Sequence, residues 1–176
     1  VNTLAHHGAY SAKFSSDGEG YALCYKTVPS ASELYARGYF RVESSGIVDD
    51  LDRFYFIVFK AGTTSVAGVG WRKTGGVVKW TLRIKDGTGW VNAFSAATPA
   101  LNQWYCVELH WKKDAAAGLG ELYVNGASIC SISAKNTAYY GDVNRVDLGL
   151  PEIAYCAATQ AYGDCAKIAT TYIGPE

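Results

Sequence analysis

From Trp104 to Trp111 the side chains alternate in kind. Tyr105, Val107, Leu109 and Trp111 fall on one side and Glu108 and His110 on the other. A period of two puts these sets on opposite faces of an extended strand. The same sorting recurs along the chain. Val78, Trp80, Leu82 and Ile84 form an apolar face from which Thr81 and Arg83 point away. Leu34, Ala36, Gly38, Phe40 and Val42 form another, with Tyr35, Arg37, Tyr39 and Arg41 opposite. Leu122 and Val124 face in and Tyr123 faces out. Strands are expected near Tyr10–Phe14, Tyr21–Thr27, Leu34–Val42, Phe54–Ala61, Ala67–Lys73, Val78–Lys85, Trp90–Phe94, Trp104–Lys112, Glu121–Val124, Ala127–Ser131, Arg145–Leu148 and Cys165–Thr171. Gly75-Gly76, Asp86-Gly87 and Asn125-Gly126 are expected hairpin turns, the last of type I′. Helix signals are nearly absent, and the Ala-rich stretch 114–118 reads as a loop. Twelve short strands at this spacing predict an all-β, two-sheet antiparallel sandwich, one domain over residues 1–176.

Composition narrows the partners. The 176 residues carry 16 basic and 16 acidic side chains, a formal charge of zero. Nucleic-acid binding draws on an excess of Lys and Arg, so no nucleic-acid partner is expected. No apolar run approaches the ~20 residues of a membrane span. The absence of Met suggests a processing site or an excised boundary, with a signal peptide removed. Five cysteines, 24, 106, 130, 156 and 165, form no C-x-x-C pair. With low charge and many Tyr they suggest an extracellular or cell-surface protein. A Cys156–Cys165 disulfide is expected, because the segment between them is able to turn back before the closing strand. The odd thiol leaves self-association open.

Three segments resemble one fold family. His6–Phe14, HHGAYSAKF, resembles the H-S-G-x-Y-S-x-x-F opening of concanavalin A-like, or laminin-G-like jelly-roll, domains. Trp104–Trp111 (WYCVELHW) followed by Gly120–Gly126 (GELYVNG) is similar to their central hairpin, W-x-x-x-E … L-Y-V-N-G. Tyr162–Pro175, YGDCAKIATTYIGP, resembles their closing strand, with Gly163-Asp164 where two acids are common. The resemblance implies two stacked sheets, one bent into a concave face, in the manner of secreted carbohydrate-binding modules, lectins, glycoside hydrolases and polysaccharide lyases. It also implies a structural Ca²⁺ with Asp164 as a ligand, to which Asp17 and Glu19 would add oxygens.

The chemistry is sparse. A glycosidase needs two carboxyl groups across a cleft, and no E-x-D-x-x-E motif occurs. Glu108 alone makes a poor hydrolase. A lyase needs a group to neutralise the uronate and a Tyr or His to move the proton; Arg37, Arg83, His110, Tyr39 and Tyr123 are candidates. Sugar binding asks only for aromatic faces and planar polar groups, which Arg37, Tyr39, Arg83, Glu108, His110 and Tyr123 supply if they share one outward face. Tyr35 and either Trp71 or Trp90 are further stacking candidates. The bland alternative is that His110 bonds Glu108 or Tyr123 and Glu108 pairs with an Arg. The reading is a non-catalytic carbohydrate-binding module that prefers acidic polysaccharides. The alternatives are a lyase on an acidic glycan and a self-assembling surface protein.

Overall fold

The computed structural model describes residues 4–176. Twelve strands form two antiparallel six-stranded sheets. In chain order they are β1 (Ala12–Ser16), β2 (Ala22–Ala31), β3 (Glu33–Ser44), β4 (Arg53–Ala61), β5 (Thr64–Thr74), β6 (Val77–Asp86), β7 (Gly89–Phe94), β8 (Trp104–Lys112), β9 (Gly118–Val124), β10 (Ala127–Lys135), β11 (Val143–Ala154) and β12 (Thr159–Ala169). Sheet A runs β1-β12-β3-β8-β9-β10 and sheet B runs β2-β11-β4-β5-β6-β7. A single 3-10 turn, Thr137–Tyr140, is the one helical element among the described residues, and none is a helix long and apolar enough to cross a membrane.

The alternation read from the sequence sorts the core correctly. Tyr105, Val107, Leu109, Trp111, Trp80, Leu82, Leu122 and Val124 are all buried between the sheets. A run of aromatic rings ties the layers together. Phe40 of sheet A stacks on Phe56 of sheet B at 4.9 Å, and Phe56 meets Trp71 at 5.8 Å. Trp71 meets Trp80 edge-on at 5.7 Å, and Trp80 returns to Tyr105 of sheet A at 5.1 Å. Edge-to-face contacts of this kind add about 0.5–1.5 kcal/mol each beyond the area they bury.

The turns follow local chemistry. Asn125 (φ +51°) and Gly126 (φ +84°) make the expected type I′ turn between β9 and β10, and the Asn125 side chain accepts the Cys106 N–H at 2.9 Å. The β6–β7 turn is centred one residue later than expected. Asp86 ends β6, and its carboxylate accepts the N–H groups of Thr88 and Gly89. The last strand departs most. It begins at Thr159, not Cys165, and ends at Ala169. Its pairing with β3 slips between Asp164 and Lys167, around Cys165 at φ +51°. That β-bulge breaks the period of two and hides the strand from pattern reading.

The expected disulfide is absent: all five cysteines are free. The Cys156 thiol donates to the Arg53 carbonyl at 3.2 Å. Cys165 sits six residues into β12, and an extended segment of that length spans ~20 Å. The chain therefore separates the two sulfurs instead of folding back.

Trp111 is fully buried, and its indole N–H has no partner. Trp111→Ala should destabilise by about 3–5 kcal/mol in chemical denaturation. Trp111→Phe should cost clearly less, because it also removes the unpaired donor.

Candidate functional site

Register places five of the six expected sugar-contacting residues together on the outer face of sheet A. Arg37 lies opposite Glu108, Tyr35 opposite His110 and Tyr39 opposite Cys106. β9 then sets Tyr123 beside Glu108 and Glu121 beside His110. The sixth, Arg83, is on β6 of sheet B, facing out on the opposite side of the sandwich. Alternation separates inside from outside but does not assign a strand to a sheet, so the single six-residue face is corrected to two.

The sheet A cluster is also not open. Residues 170–176 leave β12 and lie across it. The two Glu108 oxygens accept the N–H groups of Ile173 and Gly174, each at 2.9 Å. Arg37 donates to the Glu176 carboxylate at 2.5 Å, and the Tyr39 hydroxyl accepts the Glu176 N–H at 2.8 Å. Tyr172 packs on Tyr123 with ring centres 5.1 Å apart, and the His6 ring stacks on Tyr39 at 3.6 Å. Arg37 and Glu108 retain 1% exposure each. His110 bonds Glu121 at 2.8 Å and Glu33 at 2.9 Å, not Glu108 or Tyr123, and lies flat against Tyr35. Burial and the hydrogen bond to Glu121 push the Tyr123 phenol far up. These groups engage one another closely, but Arg37 Nε and Nη1 are left without partners beneath the covering segment.

The calcium expectation does not fit either. Asp164 Oδ2 accepts the N–H groups of His6 (2.9 Å) and His7 (3.0 Å), and Oδ1 accepts that of Cys165 (2.7 Å). Burial pushes this carboxyl up, but the backbone donors outweigh it and hold it below its ordinary value. The register pairs Ala12 with Gly163 and Ser16 with Thr159, so Asp17 and Glu19 lie beyond the other end of the strand pair from Asp164. Asp17 accepts the N–H groups of Glu19 and Gly20 in its own turn. These acids do not converge on a cage of 6–8 oxygens.

On the outer face of sheet B, Tyr55 and Arg83 are also buried, but they border a cleft. A cleft of about 140 Å³ is lined by Arg53, Tyr55, Arg72, Arg83, Trp90 and Asn92. The Arg83 guanidinium is held between two rings, its Cζ 3.9 Å from the centroids of both Tyr55 and Trp90. One Nη donates to Glu152, and Nε has no partner. Arg72 lies 5.5 Å from the Phe94 ring, and its Nε is also unpartnered. Arg53 lies over Tyr155 and donates to the Leu51 carbonyl. Gly68 makes room: a Cβ there would stand 3.1 Å from the Tyr55 ring and 3.4 Å from Arg83 Nε. Burial raises the Tyr55 phenol, with Arg83 pulling the other way, so it stays protonated. Trp71 is a core residue, whereas Trp90 is 38% exposed at the rim. Larger clefts open between β2 and β12, up to about 640 Å³, but their walls lack such a convergence of aromatic and cationic groups.

Sequence reasoning singled out Arg83 and Trp90 but missed Arg53, Tyr55, Arg72, Asn92 and Glu152. The run FYFIVF in β4 is apolar throughout, so Tyr55 carries no alternation signal. A bulge after Tyr55, between its pair with Gly70 and that of Ile57 with Val69, adds to the concealment.

No protein-family model matches the chain, and no curated protein matches it. Solved structures match over nearly its whole length. The cellulose-induced protein Cip1 aligns with a TM-score of 0.70 and 18% identity, over 99% of this chain and 86% of that one. An endo-β-1,4-glucuronan lyase from the fungus Trichoderma reesei aligns with a TM-score of 0.71 and 14% identity, over 97% and 85%. The binding domain of botulinum neurotoxin serotype D/C aligns with a TM-score of 0.66 and 14% identity, over 97% and 42%. The fold is the concanavalin A-like jelly roll.

The covering segment carries its own test. The Arg37 guanidinium bonded to Glu176 holds that carboxyl below its ordinary value of 4.5. A depressed folded value means the contact contributes in full above pH 4.5 and is lost as pH falls through the lower folded value. Amide exchange at Ile173 and Gly174, corrected for the intrinsic rate, should therefore stay slow down to that point and quicken below it. Glu176→Gln should flatten the profile. A flat wild-type profile contradicts the role of the Arg37–Glu176 pair.

Proposed function

We propose that the protein binds an acidic polysaccharide along the outer face of sheet B. The observation that carries this reading is Arg83, a guanidinium stacked between Tyr55 and Trp90 with an unsatisfied Nε, flanked by Arg53 and Arg72. A buried donor without an acceptor loses about 1–3 kcal/mol that a ligand oxygen would restore. The planar fork of Arg matches a carboxylate with two parallel bonds. Three arginines against the one carboxylate of Glu152 leave the cleft cationic in a chain of zero net charge. Trp90 offers an exposed ring to the apolar face of a pyranose. The carbohydrate-related names among the structural neighbours support the reading, as does a lyase acting on glucuronan. Such a target belongs outside the cell or at its surface.

A lyase on the same polymer is the second reading. Tyr55 as a protonated phenol among guanidiniums is its one support. Binding without cleavage is favoured because Arg83 lies over the Tyr55 ring and no histidine lines the cleft to take the proton.

Calorimetry with polyglucuronate should show salt-sensitive binding, with neutral cellulose much weaker. Arg72→Ala combined with Arg83→Ala should weaken binding by tenfold or more. Glu152→Gln, which releases Arg83 from its ion pair, should strengthen it severalfold. Equal affinity for neutral and acidic polymers, or no change in the double variant, overturns the proposal. Release of unsaturated products by the wild type, lost in Tyr55→Phe, would establish the lyase instead.

A further inference from the structure

A second site lies apart from the arginine cleft, where the segment before β1 crosses the β12 bulge. His6, His7 and Cys165 present ligand atoms that all lie within 4.8 Å of one another. The two Nδ1 atoms are 2.8 Å apart, and Cys165 Sγ is 3.6 Å from His7 Nδ1. We infer that these three side chains form a binding site for a borderline-soft transition-metal ion, with Zn²⁺ the natural occupant.

The geometry has a specific content. Zinc–nitrogen bonds of about 2.0–2.1 Å and zinc–sulfur bonds of about 2.3 Å at a tetrahedral angle separate nitrogen from sulfur by about 3.6 Å and nitrogen from nitrogen by about 3.3 Å. The Cys165–His7 separation already has the first value. The His6–His7 pair needs to open by about half an ångström, which a small ring rotation supplies. Without a metal, the two Nδ1 atoms meet only if one carries a proton and donates it to the other, and the sulfur is left with weak contacts.

The backbone holds the donors in place. Cys165 occupies the bulge at φ +51°, which turns its side chain to the same side as Asp164. Asp164 in turn gathers the N–H groups of His6 and His7. With its oxygens committed there, it acts as a positioning residue, holding consecutive imidazoles beside the thiol. Stacking of His6 on Tyr39 fixes one ring further. The donor set, two imidazoles and a thiolate, suits zinc better than Ca²⁺ or Mg²⁺, which take oxygen ligands. Binding displaces the thiol proton to solvent and forms Zn–S and two Zn–N bonds. Three protein donors leave a fourth corner for water.

The test uses the full chain, freed of metal under reducing conditions. Equilibrium dialysis with Zn²⁺ should give one ion per chain, and Co²⁺ should produce a sulfur-to-cobalt charge-transfer band. Cys165→Ser should abolish the band and weaken Zn²⁺ binding by tenfold or more, and His7→Ala should weaken it similarly. Cys24→Ser, on an exposed thiol elsewhere, should leave both unchanged. Thermal melts of the metal-free variants establish that each is folded. No saturable site in the wild type, or a stoichiometry and cobalt spectrum indifferent to Cys165→Ser in folded protein, overturns the inference. Neither outcome bears on glycan binding at sheet B.

Discussion

The carboxylate of Glu108 is buried on the outer side of a β-sheet, where an unanswered charge would be prohibitively expensive. Its direct cross-strand neighbour, Arg37, bonds Glu176 instead. Glu108 is answered by two backbone N–H groups, those of Ile173 and Gly174. This draws the chain after β12 across sheet A and brings Tyr172 to Tyr123 and Glu176 to Arg37. One buried acid thus decides which side of the sandwich is closed. The strands around it are apolar toward the core and covered toward the outside, and the arginine-lined cleft is on sheet B.

Much of this was legible and some was not, for identifiable reasons. Strand alternation in β3, β6, β8 and β9 identified the core residues, because the period of two holds wherever one face is buried and the other is not. The Asn125-Gly126 turn was legible because its positive φ values admit few residues. The sheet to which each strand belongs was not, since pairing partners far apart in sequence leave no local mark. Arg83 was therefore grouped with Arg37, from which the thickness of the sandwich separates it. The bulge at Cys165 made β12 unreadable and misplaced both the disulfide and the closing strand. Residues 172–175, read as the end of that strand, are the covering segment itself. Glu33 and Glu121, the partners of His110, come from two different strands and gave no signal at all.

Zero net charge concealed a segregation of charge. On sheet A acids outnumber bases: Glu108 takes two backbone N–H groups, Glu176 bonds Arg37, and His110 bonds two further glutamates. On sheet B three arginines converge against one acid. A cleft with low-dielectric aromatic walls concentrates such a field, whatever the charge of the whole molecule.

The pairing of β1 with β12 and of β2 with β11 has a consequence for how the molecule is made. Both sheets join the beginning of the chain to its far end: Ala12 meets Gly163, and Cys24 meets Leu148. Closing loops of that length brings no reward until the distant strand arrives, so slow folding is expected, in the manner of non-local β topologies. During synthesis Glu108 and Arg37 emerge well before the segment that neutralises them. Until residues 170–176 are available, the nascent sheet A would present a bare acid and a bare guanidinium to water, and it would hold its outer face hydrated. Residues 170–176 are then the step that dries this face, converting an open, wet sheet into a closed one only after all twelve strands have been translated.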